Sequence, residues 1–410
     1  MKRTITICAA AVLLFAGFVD LEQAMFQVNG SLPVTDSAIL FCQKVDPTID
    51  AEWVKAEVKK LADEIRPRIQ NEKSPEKILA ILKETIYGRW GFDVQPVDGL
   101  RPNMGYYDTL VRMSRESPKT IYENAFLVPV LQKKQGNCLG LTSVYLALAE
   151  ELKLPIYPVI VPYHIFPRYD DGKVRINIET TAQGMNFSDD FYAEISKISK
   201  QAIEKGAYLK TLSTKDFLSA YFLALGSYYS GQGLYKKAKR AFQDALRLSP
   251  KLALAYSNLA FIYSYYGVSS GWSDAAKSSL AIDPDFLGGY LSLSDAYVRE
   301  GNASDAISVM QEVVKKHPDI AFAQASLGEL YLYEGRFAEA IRSIWKAICI
   351  DDAEPEFYAS LAKVYFFKKD YPRAWKYAHQ AKRLGLKNPD IFYRLMKESP
   401  DPGKYPPDEK

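Results

Sequence analysis

The sequence has 410 residues and a net charge of +3, with 48% hydrophobic and 25% charged residues. This composition is typical of globular proteins and excludes disordered and collagen-like classes, and the length predicts two or three domains. The near balance of charge argues against the concentrated basic surface that binds nucleic acid. Four cysteines without a CxxC pair, together with only three histidines, exclude a disulfide scaffold and a zinc finger.

The N-terminal segment has the pattern of a secretory signal peptide. Lys2 and Arg3 precede an apolar run, Ile5–Val19, whose length matches a signal sequence better than a transmembrane helix. We expect a signal peptide at residues 1–24, cleaved after Ala24, and export to the periplasm or the extracellular space. An uncleaved N-terminal membrane anchor is the alternative. Cleavage leaves an odd number of cysteines, so at least one thiol is expected to stay unpaired.

Residues 25–200 form the first predicted domain, which begins with helices. Apolar residues recur with helical spacing over Ala51–Arg66 and Pro75–Tyr87, and both segments have charged opposite faces. Phe92–Tyr107 is rich in glycine, proline and aspartate, which predicts a loop.

Cys138 begins the next predicted helix. Asn137 before it is a good N-cap, and Leu141, Tyr145 and Leu148 fall on one helical face. A cysteine in the first turn of a helix lies where unpaired amides and the helix dipole favour a thiolate. Cys138 is therefore a candidate nucleophile, and a buried cysteine that packs as a small hydrophobe is the alternative.

A predicted β-hairpin brings a histidine to a carboxylate. The apolar run Ile156–Val161 predicts a strand that leads to His164, and residues 170–172 are a hairpin turn signal. Beyond the turn, polar and apolar residues alternate up to Glu179. His164 and Glu179 lie at similar distances on either side of the turn, so antiparallel pairing makes them face each other. Asn177 points to the same side as Glu179.

A nucleophilic cysteine needs a base within hydrogen-bond reach, and the base needs a third group that fixes its orientation. Cys138, His164 and Glu179 meet this requirement in type and in plausible geometry. Asn177 competes with Glu179 for the third role. A structural metal site made of the same three residues lacks a fourth ligand at recognisable spacing. We therefore expect no metal and no cofactor.

These residues resemble the transglutaminase-like superfamily. The resemblance is good over about residues 130–182 and rests on the following segments: Gly136–Leu141, Tyr145–Ala149, His164 and Asn177–Thr181. It implies a papain-like α+β core whose Cys, His and Asp come from a helix start and two successive strands. By this resemblance Cys138 is the nucleophile, His164 the base and Glu179 the orienting acid, although the family usually has aspartate at the third position.

Acyl transfer also needs hydrogen-bond donors for the negative charge on the carbonyl oxygen. The backbone amide of Cys138 is the expected first donor, and Gln132 and Gln135 are both candidates for the second. Asn186 and Tyr192 follow in a polar segment and are candidates for the border of the cleft.

The C-terminal half contains five repeats of 34 residues between residues 219 and 388. Three columns define them: leucine at Leu225, Leu259, Leu293, Leu327 and Leu361; a small residue at Gly226, Ala260, Ser294, Gly328 and Ala362; and tyrosine at Tyr229, Tyr263, Tyr297, Tyr331 and Tyr365. An alanine column is interrupted by Trp272 beside the glycine-containing segment Gly267–Gly271, which predicts a local distortion of the second repeat.

These columns resemble the tetratricopeptide repeat, a pair of antiparallel helices that stacks on its neighbours. Stacking is required because one pair cannot bury its apolar stripe alone, and the leucine and tyrosine columns are interpreted as core between the helices. We expect a linker helix at residues 201–218 and, within residues 389–410, a capping helix at Asp390–Ser399 with Asp390 as N-cap. Residues 400–410 are expected to be disordered.

The expected fold is therefore an α+β papain/transglutaminase-like core domain followed by an all-α tetratricopeptide-repeat solenoid. The leading hypothesis is an exported cysteine hydrolase or acyltransferase that acts on an amide or acyl bond, with a protein or peptide partner in the groove of the repeats. The alternative is a non-catalytic adaptor or assembly protein that uses the repeats as a scaffold. Neither hypothesis involves nucleic acid, and a membrane is involved only through an uncleaved signal anchor.

Overall fold

The computed structural model describes four segments of the chain: residues 33–95, 117–266, 269–386 and 390–406. In these segments an α+β domain with two small sheets is followed by a solenoid of helix pairs, which confirms the predicted fold class. The predicted signal peptide, residues 1–24, lies outside the described residues. No helix in the described segments combines the length and apolar character needed to cross a bilayer.

The domain begins with three helices: α1 (Val34–Val45), α2 (Ala51–Ile69) and α3 (Pro75–Lys83). The side chains of Asp50 and Ser74 accept backbone hydrogen bonds at the starts of α2 and α3, because the first amides of a helix have no partner within it. A π-helical segment, Glu84–Arg89, continues α3. Both helices predicted in this region are confirmed.

A buried helix forms the centre of the domain. The elements around it are β1 (Asp93–Val94), α4 (Pro118–Ala125), α5 (Leu127–Lys133), β2 (Gln135–Gly136) and the central helix α6 (Cys138–Leu152). Residues 139–149 of α6 are all buried. β1 pairs in parallel with β2, and it lies in the segment predicted as a loop. The rest of that segment, residues 96–107, is outside the described residues.

The next three strands form one antiparallel sheet in the order β3 (Ile156–Val161), β4 (His164–Asp170) and β5 (Arg175–Asn177). A turn of two residues joins β3 to β4 and pairs Val161 with His164. The turn between β4 and β5 contains Gly172 at φ +84°, a conformation that glycine adopts readily. The hairpin predicted at this turn is confirmed.

The linker helix predicted at residues 201–218 is wrong. After the sheet come α7 (Asp189–Ile195), α8 (Lys200–Glu204) and α9 (Thr214–Gly231). Between α8 and α9 the amide of Leu209, which has a left-handed φ of 58°, donates to the carbonyl oxygen of Ile160. This segment therefore pairs with β3 instead of forming helical hydrogen bonds, and Ser213 caps the new helix.

The first repeat is part of the N-terminal core. The contacts divide the chain into two compact units, of which the first contains the described residues up to 95, residues 117–262 and residues 278–286. Phe41 of α1 stacks on Tyr221 of α9 with ring centroids 5.2 Å apart. The Tyr221 hydroxyl donates to Ser143 Oγ of α6 at 2.8 Å. The first unit therefore extends beyond the boundaries predicted at residues 200 and 219.

The repeat helices keep the predicted spacing. The first helices of the pairs are α9, α11 (Ala253–Tyr266), α13 (Leu287–Arg299), α15 (Ala321–Tyr333) and α17 (Pro355–Phe367). The second helices are α10 (Tyr235–Leu248), α12 (Ser269–Ile282), α14 (Ala303–Lys316), α16 (Phe337–Ile350) and α18 (Tyr371–Arg383). Successive second helices begin 34 residues apart. Because α12 keeps this spacing, Trp272 does not shift the helix register, and residues 267–268 lie outside the described segments.

The small-residue column is required by close contact between the helices of a pair. A Cβ atom on Gly226 would lie 2.4 Å from the ring of Phe242, and one on Gly328 would lie 2.6 Å from Ile344. All five members of the leucine column are buried. The leucine column therefore has the packing role predicted for it, and the small column allows the close contact between paired helices.

The C-terminal segment is more ordered than predicted. α19 (Asp390–Glu398) is the expected capping helix, although Asp390 is its first residue and not its N-cap. Residues 400–406, predicted to be disordered, contact α18 instead. Asp401 lies 2.6 Å from His379 Nε2, and the Tyr405 ring centroid is 6.0 Å from that of the same histidine. Specific partners on α18 thus outweigh the proline-rich, charged composition, and residues 407–410 are outside the described segments.

Candidate active site

Cys138 is the first residue of α6, as its N-cap predicts. Asn137 Oδ1 accepts hydrogen bonds from the amides of Leu139 and Gly140 at 3.0 and 3.2 Å, which satisfies two amides of the first turn. The amide of Asn137 donates to the carbonyl oxygen of Asn124 at 2.9 Å. The start of the helix is therefore held from both sides, while the Cys138 side chain is partly exposed.

Two further contacts fix the position of α6. A Cβ atom on Gly140 would lie only 2.2 Å from the carbonyl oxygen of Asn124, so this close approach requires glycine. On the other side, Thr142 Oγ1 donates to the carbonyl oxygen of Ile165 at 3.3 Å. Because Ile165 follows His164, this hydrogen bond ties the helix that carries the cysteine to the strand that carries the histidine.

His164 lies between the other two predicted residues. Its Nε2 atom is 2.7 Å from Glu179 Oε2, and the side chains of the pair are 16% and 7% exposed. Cys138 also interacts with this histidine and raises its pKa. Since Nε2 faces Glu179, Nδ1 is the ring nitrogen left for the cysteine. The structure thus brings Cys138, His164 and Glu179 together.

The carboxylate of Glu179 is fully engaged. Oε1 accepts from the amide and the hydroxyl of Thr181, and Oε2 accepts from the Tyr192 hydroxyl and from His164 Nε2, both at 2.7 Å. A carboxylate has about four lone-pair positions, so all of them are occupied and its orientation is fixed. Tyr192, predicted at the border of the cleft, in fact binds Glu179.

Asn177 does not compete for the histidine. Its Oδ1 accepts from Arg168 Nε at 2.6 Å, and its Nδ2 donates to Asp189 Oδ1 at 2.9 Å. Arg168 is 1% exposed, and a buried guanidinium needs such partners. Arg168 pairs with Asn177 in the sheet. This register places Glu179 diagonally from His164, whereas the sequence analysis predicted that the two residues lie directly opposite each other.

The site is electrostatically polarised. Burial disfavours the charged imidazolium, but the interactions with Cys138 and Glu179 outweigh it and raise the pKa of His164 to about 10. Burial likewise disfavours the carboxylate of Glu179. The positive charge of His164 and the hydrogen bonds from His164, Thr181 and Tyr192 outweigh this effect and lower the pKa of Glu179 to about 2. Because Glu179 is then ionised and can only accept, His164 Nε2 carries a proton and donates it. Burial and the charge of Glu179 raise the pKa of Tyr192.

The remaining predicted residues are peripheral. Gln132 on α5, Gln135 on β2 and Asn186 all have exposed side chains, and no contact selects either glutamine as the second oxyanion donor. In the described segments, no group of three or more His, Cys, Asp or Glu side chains is arranged to hold a metal ion.

The described cysteines are all free thiols in different surroundings. Cys42 is buried in the core, Cys138 is partly exposed and Cys349 is exposed. Burial raises the pKa of Cys42 to about 12, so this thiol is inert in the folded protein.

Family comparisons agree with this architecture. Residues 116–220 match the transglutaminase-like superfamily, and residues 219–252 and 291–355 match the tetratricopeptide repeat. The chain therefore contains a transglutaminase-like domain followed by tetratricopeptide repeats, as the sequence predicted.

Among proteins with similar sequences is Protein SirB1 of Salmonella typhimurium, 28% identical over 151 residues, which are 36% of this chain and 47% of that protein. UPF0162 protein YchA of Escherichia coli K12 is 28% identical over 157 residues, 37% of this chain and 49% of YchA. The chain thus spans about half the length of these relatives. A solved tetratricopeptide-repeat protein of Thermus thermophilus aligns with 44% of this chain and 97% of its own, at 26% identity and a TM-score of 0.40.

Proposed function

We propose that the protein is a cysteine hydrolase or acyltransferase, with Cys138 as nucleophile, His164 as general base and acid, and Glu179 as the residue that orients His164. The observation that carries the proposal is the 2.7 Å contact between His164 Nε2 and Glu179 Oε2, on a histidine whose pKa the interaction with Cys138 also raises. Nucleophile, base and orienting acid in contact are the arrangement that activates a thiol.

In the first step the Cys138 sulfur forms a bond to the acyl carbon of an amide or ester, and its proton resides on His164. His164 then donates that proton to the departing amine or alcohol as the carbon–heteroatom bond breaks. In the second step His164 takes a proton from water or an acceptor amine, which attacks the thioester and releases Cys138. Water gives hydrolysis and an amine gives acyl transfer.

The start of α6 supports stabilisation of the tetrahedral intermediate. Asn137 occupies the amides of Leu139 and Gly140, so the Cys138 amide is the one in the first turn that the cap does not engage. An amide directed at the developing oxyanion lowers the barrier, and removal of such a donor typically slows the reaction by about 10²–10³. We assign the first oxyanion donor to the Cys138 amide.

The repeat array is proposed to bind a protein or peptide partner. Tetratricopeptide solenoids present extended surfaces for this purpose. Tyr333 and Phe367, at equivalent positions of successive repeats, are 63% and 52% exposed. They line a pocket of about 570 Å³ together with Glu329 and Lys363. Exposed aromatic side chains at repeated positions provide contact area for an extended chain.

The catalytic proposal is tested with p-nitrophenyl acetate as an acyl donor. We expect a burst of p-nitrophenolate, one per protein molecule, and an acetyl group on Cys138 in the mass spectrum. Cys138→Ala abolishes both signals, His164→Ala slows the burst, and Cys349→Ala, which removes the exposed thiol, leaves it unchanged. A burst of equal size in Cys138→Ala, or none in the unmodified protein, contradicts the proposal and favours the adaptor hypothesis.

Export is proposed from the basic and apolar pattern of residues 1–24. Fusion of this segment to alkaline phosphatase, which is active only outside the bacterial cytoplasm, is expected to give phosphatase activity. Replacement of three leucines or valines in Ile5–Val19 by arginine is expected to abolish it. Equal activity of the two fusions contradicts export.

A further inference from the structure

Tyr163, the residue before His164, has a left-handed backbone φ of 59°. It is the second residue of the two-residue turn between β3 and β4 and follows Pro162, whose ring fixes φ near about −65°. A turn with this combination places positive φ at its second residue, where glycine or asparagine is usual. A tyrosine in this conformation is strained and persists only where its surroundings hold it.

Phe286 provides such surroundings. The rings of Tyr163 and Phe286 are stacked, with centroids 5.1 Å apart and planes 24° from parallel. Phe286 is fully buried and directly precedes α13 of the third repeat. It belongs to the same compact unit as β4. Phe286 therefore packs on the turn that leads into His164.

The segment that carries Phe286 is anchored to the N-terminal domain at two further points. Lys205 Nζ donates to the carbonyl oxygen of Ala281 at 2.7 Å. Asp283 is buried; burial raises its pKa, and its interaction with Ser199 opposes this rise by favouring the ionised carboxylate. The carbonyl oxygen of Asp283 accepts the amide of Phe286 at 3.1 Å. These contacts hold residues 281–286 against the same unit, so the stack on Tyr163 is not an isolated contact.

We propose that Phe286 is a positioning residue for the active site: by stacking on Tyr163 it holds the strained turn and sets the imidazole of His164 against Cys138 and Glu179. The catalytic meaning of this placement rests on the function proposed above, whereas the placement itself does not. The consequence is that residues 281–286 complete the active site, and a partner that moves them changes the reactivity of Cys138.

The proposal is tested with Phe286→Ala and a matched control, Ile320→Ala. Ile320 is also buried and lies 34 residues further on, at the equivalent position before the next repeat. The measurements are the rate of Cys138 alkylation by iodoacetamide and the titration of the His164 ring by NMR. We expect Phe286→Ala to slow alkylation about tenfold, since displacement of a catalytic group by about 1 Å has effects up to about 10²-fold. The His164 midpoint moves toward its ordinary value of 6.5, and Ile320→Ala changes neither measurement.

A second pair of variants guards against misfolding of Phe286→Ala. Tyr163→Gly adopts a positive φ without strain, so the turn keeps its conformation without the ring stack. In the Tyr163→Gly background, Phe286→Ala is therefore expected to leave both measurements near the native values, whereas in the Tyr163→Phe background, which keeps the stacked ring and the strain, it has its full effect.

The proposal is overturned if Phe286→Ala matches the unmodified protein in both measurements, if Tyr163→Gly does not restore the native values to Phe286→Ala, or if Ile320→Ala causes the same changes. Failure of the proposed function gives a different result, in which Cys138 of the unmodified protein reacts no faster than in His164→Ala. The NMR titration still reports the placement of His164 in that case, so the two failures are distinguished.

Discussion

Gly140→Ala is expected to displace the start of the cysteine helix. The added Cβ atom lies 2.2 Å from the carbonyl oxygen of Asn124 and 2.7 Å from a methyl group of Val130, whereas ordinary contact begins at 3.4 Å. The helix and α4 must therefore separate by about 1 Å. Because the Asn124 oxygen also accepts the amide of Asn137 at 2.9 Å, the separation weakens the support of the N-cap beside Cys138.

The magnitude follows from two opposing effects. Overpacking costs about 1–3 kcal/mol, and replacement of a helical glycine by alanine returns about 0.5–1 kcal/mol. The free energy of unfolding therefore falls by about 1–2 kcal/mol, which lowers the melting temperature by about 2–8 °C for a domain of this size. The rate of Cys138 alkylation falls as well, since the thiol moves away from His164.

The assay is thermal unfolding followed by circular dichroism, with Gly88→Ala as the matched control. A Cβ atom on Gly88 has no heavy atom within 4 Å, so this variant is expected to melt at or slightly above the temperature of the unmodified protein. If Gly140→Ala melts as high as Gly88→Ala and its Cys138 is alkylated at the unmodified rate, the argument from close packing is refuted.

Three further results are expected. Glu179→Gln moves the NMR titration midpoint of His164 from about 10 toward 6.5, because the anionic acceptor is lost; an unchanged midpoint contradicts the pairing. Because the pKa of His164 is raised, this residue stabilises the fold fully below pH 6.5, and the stabilisation is lost as the pH rises through about 10. Because the pKa of Glu179 is lowered, this residue stabilises the fold above pH 4.5, and the stabilisation is lost as the pH falls through about 2. Urea unfolding should therefore show the largest difference between Glu179→Gln and the unmodified protein between pH 4.5 and 6.5, and a difference independent of pH excludes this linkage. Gly328→Ala, whose Cβ would lie 2.6 Å from Ile344, lowers the free energy of unfolding by about 1–2 kcal/mol after the helical gain of alanine over glycine is subtracted, and unaltered unfolding contradicts the packing role of the small column.

The parts of the fold that local pattern determines were predictable. The repeat period reads directly as helix spacing, because every repeat buries the same columns. The cap at Asn137 and the turn at Gly172 depend on a few neighbouring residues. The helix predicted at residues 201–218 was wrong because Leu209 pairs with a strand distant in sequence, and such pairing leaves no local periodicity.

In the candidate site, too, locally encoded features were predictable and contacts between residues distant in sequence were not. Cys138, His164 and Glu179 were found because a helix start and a hairpin impose their spacing. The hydrogen bonds from Thr181 to Glu179 were not predicted, since a hydroxyl next to a carboxylate is common in any polar segment. The stack of Tyr163 on Phe286 joins residues 123 positions apart, and neither residue type indicates the other, so only the folded chain reveals it.

Activation of Cys138 by His164 is the central step of the proposed reaction. The most direct measurement compares alkylation of Cys138 and Cys349 by iodoacetamide within one protein at neutral pH, with peptide masses as readout and with unlabelled Cys42 showing that the core is intact. We expect Cys138 to react at least about tenfold faster than the exposed Cys349, and His164→Ala to remove this difference in rate. Equal rates at the two cysteines in the unmodified protein, or an advantage that survives in His164→Ala, would contradict this expectation.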